Sequence, residues 1–274
     1  MAAGGAKKLG KPDLATIAGL ALAAFGIIGG LLLEGGSIKD VSQITAALIV
    51  LGGTLGAVMV ATPMAQLKGA VKRLGAVVFE SPDQLGAVAA EIVQFATKAR
   101  KNGLVALEQD AGAATDPFLK KALNLAVDGT DLQELRAMLE LEIDQREQGA
   151  ESEAKVFESA GGFAPTIGII GAVMGLIQVM KNLSDIDKVG HGIAVSFVAT
   201  VYGVGLSNLL FLPAANKIKM RARAETERRE MILEGIVGIV EGMNPKLIAA
   251  KLEAFGGHAG AGKAGGATGP PGTE

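Results

Sequence analysis

The side chains of this sequence that could do chemistry stand around four apolar runs, and none of the strongly ionising types lies inside them. Leu14–Leu33, Val41–Thr62, Gly161–Met180 and Gly192–Leu212 contain no Asp, Glu, Lys or Arg. Intramembrane charges mark ion and proton pathways. Four runs without a carboxylate cannot form an acid-based proton relay alone, so an ion path built from them needs a titrating group from a partner. The notable polar side chains of the fourth run are Thr200 and Tyr202, with Ser196 and Ser207. A helical Thr hydroxyl either bonds back to its own helix or faces a hydrated path. Pro165 and Pro213 each remove an N–H and free the carbonyl four residues back, at Gly161 and Leu209. They are either an ordinary helix start and stop or a matched pair of joints. Arg100 and Glu108 flank the break Asn102-Gly103, and on composition alone they read as solvated surface charges. There is no Cys, and His191 and His258 lie far apart. No nucleophile–base set, metal cluster or phosphate loop is recognisable, so neither an enzyme nor a bound cofactor is expected.

The elements that must position these residues are membrane helices. Each run has the twenty or so residues needed to cross a hydrocarbon core of about 30 Å. Of the 274 residues 49% are hydrophobic but only 4% aromatic, and mean hydropathy is +0.39. Gly and Ala make up much of the difference, as suits helices that pack backbone to backbone. The net charge of −2 gives no support for nucleic-acid binding. Lys7, Lys8 and Lys11 precede the first run as in a signal peptide. That run is too long for a signal core, and Leu33-Glu34-Gly35-Gly36 is a poor cleavage site, so a retained first membrane helix is expected.

The runs form two pairs, joined by the turns Glu34–Asp40 and Lys181–His191. The fold class expected is an all-α integral membrane protein: four transmembrane helices, with a helical cytoplasmic domain between the second and third. The expected layout is a cytoplasmic N-terminus (1–13), helices one and two (14–62), and the cytoplasmic domain (63–160). Helices three and four (161–212), C-terminal cytoplasmic helices (213–255) and a disordered Gly-rich tail (256–274) follow. Lys68, Lys72 and Arg73 follow the second run, and Lys217, Lys219, Arg221 and Arg223 the fourth, which places both termini and the middle segment in the cytoplasm.

Between the pairs, Ser81-Pro82-Asp83-Gln84 reads as a capping box. Leu85, Val88, Ala89, Ile92, Phe95 and Ala99 then recur at helical spacing. Asn102-Gly103 is a stop, Asp116-Pro117 a start ending near Gly129, and Asp131 opens a helix running towards the third span. After the fourth span, Ile232, Ile236, Ile239 and Val240 form a stripe that Asn244-Pro245 breaks. No strand pattern is found. Small residues recur four apart at Gly26/Gly30, Gly52/Gly56, Gly171/Gly175 and Gly203/Ser207. They suit close packing, within one chain or between copies.

Phe163-Ala164-Pro165-Thr166-Ile167-Gly168-Ile169-Ile170-Gly171-Ala172-Val173-Met174-Gly175-Leu176-Ile177 resembles the third membrane helix of the flagellar stator family of MotA and its sodium-driven counterpart PomA. Ala194–Gly203 and Asn208-Leu209-Leu210-Phe211-Leu212-Pro213 resemble the fourth. Leu32–Gly36 resembles the end of the first helix, and Ala99–Glu108 the cytoplasmic loop. The resemblance implies an ion-conducting stator subunit of the bacterial flagellar motor, in the inner membrane, five copies surrounding two MotB-type subunits. The partner carries the membrane Asp and a peptidoglycan-gripping domain, and cytoplasmic charges push on the rotor protein FliG. By this resemblance Arg100 and Glu108 match the rotor-facing pair, and Pro165 and Pro213 the conformationally important prolines. Sodium-driven members carry a Thr matching Ala172 and two consecutive Thr matching Ala199 and Thr200, so Ala172, Ala199 and Thr200 are expected to line the ion path. With two of three hydroxyls absent, the transported ion is expected to be H⁺ rather than Na⁺.

Two other readings fit the same residues. TolQ and ExbB are distant relatives that pair with an Asp-bearing subunit but typically have three spans. A passive membrane scaffold or secretion component would need no charge at all.

Overall fold

The computed structural model describes residues 11–80 and 85–260, so the capping box at 81–84 and the stretch 261–274 lie outside the described residues. The chain divides into two compact units, residues 1–82 with 149–221 and residues 83–148 with 222–274.

Among the described residues four helices are long and apolar enough to cross a membrane, and the first unit holds the apolar run of each. Helix α1 (Leu14–Leu33) turns at Glu34–Ser37 into the short α2 (Ile38–Val41) and then α3 (Ile44–Ala61). The expected second span is thus interrupted at Ser42-Gln43. An interruption leaves backbone groups unpaired, which apolar surroundings punish. Here the Tyr202 hydroxyl donates to Val41 O and accepts the Gln43 N–H at 3.3 Å. Helix α4 (Met64–Val78) follows. Helix α8 (Leu132–Lys181) contains the third span with Pro165 inside it. The turn after it is Asn182–Asp185, shorter than expected because Asp185 caps α9 (Ile186–Leu206) through the Lys188 N–H. A single π-helical turn, Ser207–Phe211, leads into α10 (Leu212–Val240).

Glycines decide the packing of this unit. A Cβ at Gly203 would lie 2.5 Å from Ala164 O and 3.1 Å from Gly168 Cα, so α8 and α9 touch backbone to backbone. Gly171 meets Ala199, and Gly175 meets Ser196 and the Gly192 carbonyl. On the other side, Ala46 and Val50 of α3 pack on Val195, Val198 and Ala199 of α9. The small-residue repeats of the third and fourth spans are therefore used within the chain. Gly26, Gly30, Gly52 and Gly56 face open space, and no residue of α1 is buried.

Helix α1 is tied down at its start. Asp13 caps it, accepting the Thr16 N–H at 3.0 Å, and its carboxylate pairs with Lys217 and, at 2.7 Å, with Arg221. Arg221 also donates to Phe79 O, and the Asp13 N–H to Val78 O at 2.8 Å. A two-residue antiparallel pairing, β1 (Lys11–Pro12) with β2 (Phe79–Glu80), completes the knot, where no strand is expected from the sequence. The Lys217 ammonium, with the Thr16 N–H, holds the Asp13 carboxyl far below the usual carboxylate range. Its folded value lies below the unfolded one. The stabilisation is therefore full above the ordinary Asp pKa of about 3.9 and is lost only in stronger acid, so it is constant at cytoplasmic pH. Two cations share the one carboxylate, so loss of either leaves Asp13 paired with the other.

Helix α4 and residues 149–160 belong to this unit, not to the domain expected at 63–160. Ala70 packs with Val58, Val156 and Ala160, and Arg73 pairs with Glu153. These contacts join positions far apart in sequence, which charge and periodicity cannot reveal. Residues 213–221 are held likewise by Lys217 and Arg221, and by Lys219 with Glu158 at 2.6 Å.

The second unit contains α5 (Leu85–Asn102), a 3₁₀ turn (Leu104–Leu107), α6 (Glu108–Ala113) and α7 (Pro117–Val127). The first part of α8, the rest of α10, and α11 (Pro245–Gly260) complete it. Val88, Ile92 and Phe95 of the expected stripe are buried together with Ile232, Ile236 and Ile239. Asp116 caps α7 through the Phe118 and Leu119 N–H groups at 2.7 and 3.2 Å, with Pro117 at the first helical position. Gly242, at φ +70°, ends α10. Helix α11 runs to Gly260, past the Gly256 boundary read from composition.

Candidate functional site

The seam between α8 and α9 gathers the expected ion-path residues around Ser196. Its hydroxyl donates to Ala172 O at 2.8 Å and shares that hydrogen with Gly192 O at 2.9 Å, which pins the two helices together. The Thr200 hydroxyl lies 3.3 Å from Ser196 O, one turn back on its own helix. Back-bonding is the plainer of the two uses open to it. Thr200 and Ala172 are half-buried. Ala199 is fully enclosed, with Gly171 packed against its methyl group. Within this chain Ala199 shapes the seam rather than presenting a surface. Beside the seam, towards the Asp185 end, lies a groove of about 350 Å³. Thr45, Gln178, Asn182, Lys188 and His191 line it together with apolar groups, so it offers polar partners to water.

The two prolines differ in setting. Pro165 sits inside α8 with its neighbours helical on both sides, so it is not a helix start. Pro213 is the second residue of α10, directly after the π-turn, and is exposed. In that turn the Leu212 N–H reaches Ser207 O, five residues back. Widening a helix before a proline absorbs the lost hydrogen bond without ending the helix.

Arg100 and Glu108 stand in the second unit on either side of a sharp break. Gly103 has φ +82° and ψ 165°, a conformation available essentially to glycine alone, and its N–H caps α5 on Ala99 O at 2.8 Å. Arg100 lies in the last turn of α5, and Glu108 opens α6. Both are exposed, and among the described residues neither is in an ion pair. The nearby Lys98 is occupied by Asp110 at 2.5 Å, which fastens α6 to the end of α5. The two free charges are therefore presented on a fixed frame.

Sequence reasoning named Ser196, Tyr202 and Ser207 as polar but not their partners. Thr54 on α3 has a fully buried hydroxyl with no hydrogen-bond partner among the described residues. Nothing in residue type sets Thr54 apart from Thr45 on the same helix.

This architecture, with four charge-free apolar runs on long helices and a tightly packed seam, is that of a multi-pass membrane protein. Residues 17–103 match the motility protein A N-terminal family, and residues 110–231 the MotA/TolQ/ExbB proton channel family. Motility protein A of Bacillus subtilis (strain 168) is 35% identical over 244 residues, spanning 88% of this chain and 89% of that protein. Chemotaxis protein PomA of Vibrio alginolyticus is 35% identical over 243 residues, spanning 89% and 95%. The solved flagellar MotAB stator complex of Bacillus subtilis contains a chain that superposes with a TM-score of 0.81 at 34% identity, covering 88% of this chain and 94% of that one. The chain belongs to the motility protein A family, within the proton channel family of MotA, TolQ and ExbB, and is an ion-conducting stator subunit of the bacterial flagellar motor.

Proposed function

We propose that this chain couples proton flow to torque in company with a single-span MotB-type subunit that supplies the titrating carboxylate. The observation that carries the reading is the absence of Asp, Glu, Lys and Arg from the four apolar runs, beside a tightly packed α8–α9 seam. The group that binds the ion must then come from the partner. Five copies around a partner dimer is the assembly that suits α1, whose faces find no cover within the chain, with lipid on the remainder. Both termini and the second unit lie in the cytoplasm, as the Lys/Arg-rich segments after α3 and within α10 favour.

The transported ion is H⁺. Sodium sheds its water only where several oxygens replace it. Ala172 and Ala199 offer no side-chain oxygen, and Thr200 is already engaged with its own helix. A proton needs only the partner's carboxylate and water.

Pro165 and Pro213 couple movement of the membrane helices to the second unit, and Arg100 and Glu108 contact the rotor protein FliG. Freedom from ion pairs among the described residues supports the rotor contact, because a charge already paired internally has less to give a partner. An exposed pair contributes only about 0–1 kcal/mol. Neutralising either residue is therefore expected to slow swimming moderately. Reversal, Arg100→Glu or Glu108→Lys, brings like charges together across the interface and is expected to cost most of the swimming speed. A compensating reversal in the rotor protein should restore it. Unchanged motility and stator recruitment with both reversals present would remove these residues from the interface.

A further inference from the structure

Pro165 has no N–H, so the Gly161 carbonyl of α8 lacks its usual helical donor. That carbonyl is not bare. The Ser207 hydroxyl, in the π-turn at the end of α9, donates to Gly161 O at 2.7 Å, and Ser207 is only 2% exposed. Ser207 O in turn accepts the Leu212 N–H, the widened step that delivers the chain to Pro213. One residue thus fills the gap made by the first proline and anchors the irregular turn before the second. The approach depends on Gly161, where a Cβ would lie 2.6 Å from Leu212 Cδ2. It depends also on the Gly203–Ala164 backbone contact, one turn before Ser207.

We propose that Ser207 is a positioning residue of the coupling machinery, joining the two proline joints by satisfying the carbonyl that Pro165 frees. This rests on the assignment of Pro165 and Pro213 to conformational coupling. A helical serine has a second acceptor, the carbonyl four residues back on its own helix, here Gly203 O. The hydroxyl therefore has two discrete settings: across to α8, with the joints linked, or back onto α9, with the joints released. Release leaves Gly161 O unpaired among apolar groups, which is unfavourable. The linked setting is the resting one, and any movement that opens the seam must give Gly161 O another donor. A hydrogen bond of ordinary net strength biases two such settings roughly fivefold.

The test is a mutant cycle in the complete complex with the B-type partner: wild type, Ser207→Ala, Pro165→Ala and the double variant, with Ser207→Thr as the conservative replacement. Torque per stator, read as step height in a bead-rotation record, does not depend on how much protein is made. Ser207→Ala is expected to lower it about twofold or more, and Ser207→Thr to restore most of it. The thermal midpoint of the purified complex should fall by about 3 °C for Ser207→Ala in the wild-type background. In the Pro165→Ala background, where residue 165 again supplies an N–H to Gly161 O, it should hardly move. Wild-type step height with Ser207→Ala would overturn the proposal, as would an equal fall in midpoint in both backgrounds. If Ser207→Ala fails to accumulate, the amount of membrane-inserted chain decides by the same cycle: recovery with Pro165→Ala supports the proposal, and no recovery overturns it. Wild-type torque from Pro165→Ala alone would instead sink the assignment of the prolines.

Discussion

Cells that lose this gene are expected to build complete flagella that do not turn. The chain is a motor stator subunit, similar over nearly nine-tenths of its length to motility protein A. Loss of a stator subunit is expected to remove torque and to leave filament export and assembly intact. Electron microscopy should show filaments in normal number, while tracking shows no directed swimming. Expression of the gene from a plasmid should restore swimming. Cells without filaments would place the protein in secretion, and cells that swim normally would mean that the motor runs without it.

Gly203→Val is expected to abolish motility through the seam alone, without touching a charge. The first atom of any side chain at Gly203 would sit 2.5 Å from Ala164 O and 3.1 Å from Gly168 Cα. Both are backbone atoms of a helix and cannot swing aside, so α8 and α9 must separate. Overpacking of this kind costs typically about 1–3 kcal/mol. Separation also strains the hydrogen bonds from Ser196 to Ala172 O and from Ser207 to Gly161 O, each worth about 1 kcal/mol net. Soft-agar spreading and the quantity of chain in washed membranes measure the outcome. Normal spreading would show that the close approach of the two helices is not needed.

Much of this fold is legible in the residues, for reasons that are local. A run without charges and twenty residues long has one stable place, and α1 spans the same residues, Leu14–Leu33, as the first run. Asp116-Pro117 and Gly129 bracket α7 because a capping carboxylate, a proline at the first position and a left-handed glycine act within one turn. What was illegible depends on distant partners. The break at Ser42-Gln43 lies at the edge of an apolar stretch and persists because Tyr202, more than 150 residues on, satisfies its backbone. The assignment of α4 to the membrane-helix unit follows from Ala70 meeting Val156 and Ala160, and no local pattern shows such a meeting.

The candidate site divides in the same way. Arg100 and Glu108 flank Asn102-Gly103, and the glycine's positive φ gives that break its physical cause. Pro165 told which carbonyl would be freed, but not that Ser207 would fill it. Thr200 illustrates the reverse case: a side chain singled out for an ion path whose hydroxyl bonds to its own helix.

We propose that protons drive torque here, through a path to which this chain contributes no carboxylate. The most direct measurement is swimming speed in sodium-free potassium buffer, with and without a protonophore. Ala172, Ala199 and the engaged Thr200 predict full speed without sodium and a stop on adding the protonophore. Speed that follows external Na⁺ and survives the protonophore would contradict it.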